Sequence, residues 1–107
     1  MRDLKWSRSE KVVARRAFDQ ALERELQDLI RQAKEMAGSA DEGSDLWRLE
    51  NWLTERRREI ERKYDYRYSV LPLVFATLVK QGHISESDLH GLDLEKIELI
   101  LSLASRL

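Results

Sequence analysis

Two histidines, His83 and His90, are the residues of this chain with the widest chemical repertoire. They stand seven apart near glycines, with no cysteine anywhere and no paired histidine beside them. A metal site needs three or four convergent ligands, so this spacing reads as loop histidines facing solvent. Catalytic patterns are equally thin. There is no glycine-rich phosphate loop and no nucleophile elbow. Carboxylates are plentiful, but they alternate with bases. No cofactor and no enzymatic activity are expected.

The richest chemistry lies in one charged stretch. Between Trp52 and Ser69 stand six basic and four acidic side chains. Arg56, Arg57 and Arg58 would suit a polyanion if they were free. On a helix, however, Glu55–Arg58, Arg57–Glu61, Glu59–Arg62 and Glu59–Lys63 fall three or four apart and can pair. The chain as a whole carries 19 Lys and Arg against 20 Asp and Glu, a net charge of −1. A nucleic-acid binder ordinarily carries a basic surplus, so no nucleic-acid partner is expected.

Just upstream, Trp47 is followed by Glu50, Asn51 and Thr54 at +3, +4 and +7, on one side of a helical wheel. Arg57 stands lower on that side, between Leu53 and Ile60. An aromatic ring beside polar groups and an arginine has the composition of a protein-binding hot spot. Trp47 would equally serve to cap the edge of a core, and Arg57 to form an internal or interface ion pair. Trp52 lies on the opposite edge.

Helices must position these residues. Ser7 and Glu10 form a capping box that starts the first helix. From there to Ala37 there is no Gly or Pro. Ala14, Phe18, Leu22, Leu26, Leu29, Ala33 and Met36 recur with helical period. Gly38 is placed to stop this helix in the left-handed conformation, and Ser44 to cap the next. That second helix runs from Asp45 to about Tyr66, with Leu46, Leu49, Leu53, Ile60 and Tyr64 as its buried stripe. A short loop makes the pair antiparallel.

After Ser69 the texture turns apolar. Ser69 would cap a helix carrying Pro72 in its first turn. Ser85 to Asp88 opens a short helix, and Asp93 caps a last one. The expected fold is all-α and a single domain over 1–107. It has a long helical hairpin or stalk over about 7–68 and a compact helical head over about 69–107. A lone hairpin leaves Leu26, Ile30, Leu46, Leu49 and Leu53 partly wet, which predicts a twofold homodimer through those side chains. The longest apolar run, Val70 to Ala76, is far short of a membrane span. Met1 to Val13 has no apolar signal core, so a cytoplasmic protein is expected.

Three segments together resemble the fluorescence recovery protein family. They are Asp45-Leu46-Trp47, then Arg57-x-Glu59-Ile60-x-x-Lys63-Tyr64-Asp65-x-Arg67-x-Ser69-Val70, and Val74-Phe75-Ala76-x-Leu78-x-Lys80-x-Gly82. Trp6-Ser7 and Arg24-Glu25-Leu26 match as well, and the resemblance spans about Trp6 to Leu107. It implies a dimeric, non-catalytic partner of the orange carotenoid protein that docks on that protein's C-terminal domain. Such regulators speed the return of the red form to the orange form and end quenching at the phycobilisome. The resemblance also implies a partner-binding strip of Trp47, Glu50, Asn51 and Arg57. Trp47 and Arg57 match the family's strip, whereas Glu50 and Asn51 replace its His and Asp. That departure leaves a second reading open: the same dimeric helical module acting on a different partner in a non-photosynthetic bacterium.

Overall fold

The computed structural model describes residues 4–107; residues 1–3, at the start of the expected domain, lie outside the described residues. Among the described residues the fold is all-α. Its elements are α1 (Arg8–Gly38), α2 (Gly43–Lys63), α3 (Leu71–Lys80), a 3₁₀ turn (Glu86–Leu89) and α4 (Leu94–Arg106).

The capping box of α1 is present. Glu10 N–H donates to Ser7 Oγ at 3.1 Å, and Ser7 N–H donates to Glu10 Oε1 at 3.0 Å. Asp93 caps α4 by accepting from Lys96 N–H at 2.9 Å, and Asp88 accepts from Ser85 N–H at 2.9 Å.

Three other caps differ from the sequence expectation. Gly38 ends α1 without a left-handed residue, and Ser39 closes the helix at φ −95°. Ser44 does not cap α2. Asp45 reaches back one turn to the N–H groups of Asp41 at 3.0 Å and Glu42 at 3.1 Å, so the helix starts at Gly43. Ser69 likewise yields to Val70, because a turn centred on 67–70 already satisfies the first N–H groups of α3. The Arg67 carbonyl accepts from both Val70 and Leu71 at 3.0 Å.

The core sits at one end of the molecule. Leu71, Phe75, Ala76 and Leu78 of α3 are fully enclosed, with Leu89 of the turn and Ile100 of α4. The first half of α1 completes this core with Val13, Ala14, Ala17, Phe18 and Ala21. The head is therefore not confined to residues after Ser69; α1 belongs to it as far as Ala21. Alanines at 14, 17 and 21 let the head helices approach α1 closely. Closer still is Gly91, at φ +110°, where an added Cβ would lie 2.6 Å from Val13 Cγ2.

Beyond Ala21, α1 leaves the head and pairs with α2 to form the stalk. No residue of α2 is buried. The stripe expected to be covered is instead open within one chain: Leu46 and Leu53 are exposed, while Leu49, Ile60 and Tyr64 are half-buried. Two helices lying side by side shield only one flank of each other.

Candidate functional site

The partner strip expected from sequence lies on the open flank of α2. Leu46, Trp47, Leu49, Glu50, Leu53, Thr54 and Arg57 line one groove of ≈ 510 Å³. The α-helical repeat accounts for this grouping, since +3, +7 and +10 from Trp47 return to one side of the helix. Trp47 is 59% exposed, which removes the core-edge reading for this chain taken alone. Arg57 projects into solvent, with its nearest carboxylate, Glu61, 4.0 Å away. An ion pair at that distance between exposed side chains holds the guanidinium only weakly. Asn51 is exposed on the same helix but does not line the groove.

A second groove of ≈ 350 Å³ adjoins the first. Leu26, Leu29, Ile30 and Ala33 of α1 face Leu53, Arg56, Arg57 and Ile60 of α2 across it. Leu53 and Arg57 line both grooves, so the apolar face runs unbroken from Trp47 across α2 to α1. Of the residues expected at a dimer interface, Leu26 and Ile30 line the second groove, Leu46 and Leu49 the first, and Leu53 both.

The arginines are unequal. Arg56 stacks over Trp52, 5.7 Å from its ring centroid, and pairs with Glu55 at 3.4 Å and Glu59 at 3.2 Å. Glu59 thus engages Arg56, and Lys63 turns away from α2 to Glu25 at 2.6 Å. The expected pairing of Arg57 with Glu61 is present at its weakest geometry. This arrangement leaves Arg57, which lines both grooves, less engaged by carboxylates than Arg56, while the expected pairs Glu55–Arg58, Glu59–Arg62 and Glu59–Lys63 are not among the ion pairs of the described residues. It suits docking of a protein surface with an apolar centre and an acidic group at its edge.

His83 is not the solvent-facing residue its loop position suggested. Its side chain is half-buried, with Nε2 at 3.4 Å from Glu25 Oε1. Glu25 entered the sequence reading only through the family match and not as a site residue, although it stands four residues after the enclosed Ala21. Among the described residues no group of three His, Cys, Asp or Glu side chains is placed to hold a metal ion. No helix among them is long and apolar enough to cross a membrane.

Comparison with known proteins agrees with this geometry. Residues 6–104 match the family described as "Photoprotection regulator fluorescence recovery protein". The chain is 37% identical over 99 residues to the fluorescence recovery protein of Synechocystis sp. PCC 6803, covering 92% of this chain and 91% of that one. The structure of the Fremyella diplosiphon fluorescence recovery protein superposes with a TM-score of 0.90 at 48% identity, over 96% of this chain and 100% of that one. The Synechocystis structure superposes with the same TM-score and coverage at 37% identity. These relatives share the helices, the elongated form and nearly the full length. This chain belongs to the fluorescence recovery protein family, and is a non-catalytic photoprotection regulator.

Proposed function

We propose that this chain binds the photoactivated, red form of the orange carotenoid protein on its C-terminal domain. It thereby speeds reversion to the orange form and ends fluorescence quenching at the phycobilisome. Family membership supports this partner. The observation that carries the site is that Trp47 and Arg57 share one open groove on α2. Trp47 supplies the apolar anchor and Arg57 the charged clamp, with Glu50 in the same groove and Asn51 beside it. The protein works in the cytoplasm as a homodimer, joined through Leu26, Ile30, Leu46, Leu49 and Leu53.

The reading requires differential binding. An accelerator must hold the transition state for re-docking of the partner's two domains more tightly than it holds the open red form. A rigid stalk presenting a preformed groove can grip one domain and guide the other without loss of its own order.

Dark reversion of the red carotenoid protein, followed by absorbance, tests this. Substoichiometric protein should accelerate it. Trp47→Ala should lower that acceleration by roughly tenfold or more, the loss expected on truncating a hot-spot aromatic. Circular dichroism should stay unchanged. No acceleration by the folded protein would reassign the groove to a different partner. Unfolding of Trp47→Ala would return Trp47 to a structural role.

A further inference from the structure

Glu25 stands on α1 four residues after the enclosed Ala21. Phe18 and Ala21 precede it on the same face and are enclosed in the head. Its carboxylate is itself largely shielded, at 14% exposure. Three side chains from two other segments converge on it. Lys63, the last residue of α2, donates from Nζ to Oε2 at 2.6 Å. Tyr64 donates from its hydroxyl to Oε1 at 2.8 Å. His83, in the loop after α3, brings Nε2 to 3.4 Å from Oε1. Lys63 Nζ also donates to Gln81 Oε1 at 2.7 Å. Burial, and after it the Glu25 carboxylate, push the Tyr64 hydroxyl well above its usual range, so it remains a donor.

Little else joins α2 to the head. No side chain of α2 enters the core cluster; Tyr64, just past its end, is the first to pack there, edge-on to Phe18 at 5.3 Å. Between the last turn of α2 and α3 lies an open groove of ≈ 550 Å³, with Glu59, Arg62 and Lys63 on one wall and Leu73, Val74 and Thr77 on the other. In the linker, Arg67 folds back on Asp65 at 2.6 Å, a local tie that does not reach α1.

The head loop has its own anchor. Arg24 Nη1 donates to the His83 carbonyl at 3.0 Å and to Asp88 at 2.9 Å. Consecutive residues of α1 thus hold different things: Arg24 holds the loop, and Glu25 holds the end of α2 as well.

We propose that the Glu25–Lys63–Tyr64–His83 cluster is a releasable latch, which fixes the end of α2 against the head and, when opened, frees the last turn of α2 while the head core, with Tyr64, Tyr66 and Val70 of the linker packed on it, stays folded. A polar cluster suits this role. Water can satisfy Lys63 and Glu25 once they separate, and no apolar surface between α2 and α3 has to be exposed. Local opening follows the weakest set of contacts, and those that tie the last turn of α2 to the head are few, polar and gathered on one carboxylate.

Native-state hydrogen exchange read by mass spectrometry on the full-length protein tests the latch. Glu25→Gln should raise exchange across residues 59–63 by roughly ten- to hundredfold, the equilibrium change that follows loss of hydrogen bonds to a charged group. Exchange in 71–80 and 97–104 should stay as in the parent. Tyr64→Phe keeps the ring on Phe18 and removes only the donor, so it should raise the same segment by a smaller factor. Arg24→Ala should raise exchange in 83–88 and leave 59–64 unchanged. Unchanged exchange in 59–63 for both Glu25→Gln and Tyr64→Phe would overturn the proposal. So would an equal rise in the head core with Tyr64→Phe, because opening would then be global. If Glu25→Gln does not fold, Tyr64→Phe alone decides between these outcomes.

Discussion

Glu10 shows how one side chain can serve two structures. Its carboxylate closes the α1 capping box and also accepts from Asp93 N–H at 2.9 Å, across the head. Lys96, only 3% exposed, reaches it at 3.1 Å and lies over the Trp6 ring, 5.2 Å from its centroid. Burial alone would raise the Glu10 pKa. The Ser7 and Asp93 amides and the Lys96 ammonium outweigh it and bring the value down to about 2. Asp88 is also brought to about 2, chiefly by its hydrogen bond from Arg24. A carboxylate whose folded pKa is depressed stabilises the fold fully above its unfolded pKa and loses that contribution as pH falls through the folded value. Stability should therefore decline between about pH 4.5 and pH 2. Glu10→Ala should cost about 3 kcal/mol near neutral pH, since it leaves Lys96 enclosed with Asp93 alone. In urea unfolding, the gap between variant and parent should narrow toward pH 2. A gap that stays constant with pH would show that the carboxylate charge contributes nothing.

At the scale of elements, α1 was legible as a helix and illegible as a partner. Its apolar period and the Ser7–Glu10 box announce a long helix from Arg8 onward. Period reports which face is buried, and says nothing of what buries it. Ala14 and Ala33 occupy equivalent places in the pattern, yet Ala14 is enclosed by the head and Ala33 is half-open on the stalk. The share of α1 in the head core was illegible for this reason. The cap at Ser44 failed because Asp45, tied back to the Asp41 and Glu42 amides, lets the helix begin earlier, and the cap at Ser69 because the Arg67 carbonyl already holds the Leu71 N–H. The role of Glu25 was invisible because its partners come from Lys63, Tyr64 and His83, 38 and more residues away in sequence. The grouping of Trp47, Glu50 and Arg57 along one groove of α2 was legible because a helix brings them together without help from the rest of the fold, whereas Asn51 falls outside the groove. The two environments of α1 should respond differently to added volume. Ala17→Leu fills space that the head does not have and should cost about 1–3 kcal/mol in thermal or urea unfolding. Ala37→Leu, on the exposed last turn of α1, should fall within about 0.5 kcal/mol of the parent. Equal costs would mean that both halves of α1 are packed alike.

The molecule as a whole measures 53 × 23 × 23 Å, with a radius of gyration of 16.7 Å. A compact chain of this length would have about 13 Å. The excess is the stalk, which carries five of the ten large apolar side chains exposed among the described residues. Leu26 is 38% exposed, Ile30 46%, Leu53 45% and Leu46 55%, all on one continuous face with Trp47. Contiguous apolar surface of this kind marks an interaction site. The proposed homodimer covers the groove between α1 and α2, and Leu53 and Arg57 then sit where the dimer seam meets the proposed docking groove. Ile30 lines only the α1–α2 groove, so it separates the two uses of the face. Ile30→Glu would place a carboxylate in the seam, where pairing with Arg57 offsets only part of its desolvation, a penalty of several kcal/mol counted once for each copy. Light scattering at micromolar concentration should give twice the chain mass for the parent and a single chain mass for Ile30→Glu, with helical circular dichroism retained by both. A monomeric parent would refute the dimer outright. A dimeric Ile30→Glu would move the seam off this groove and leave the apolar face wholly to the docking partner.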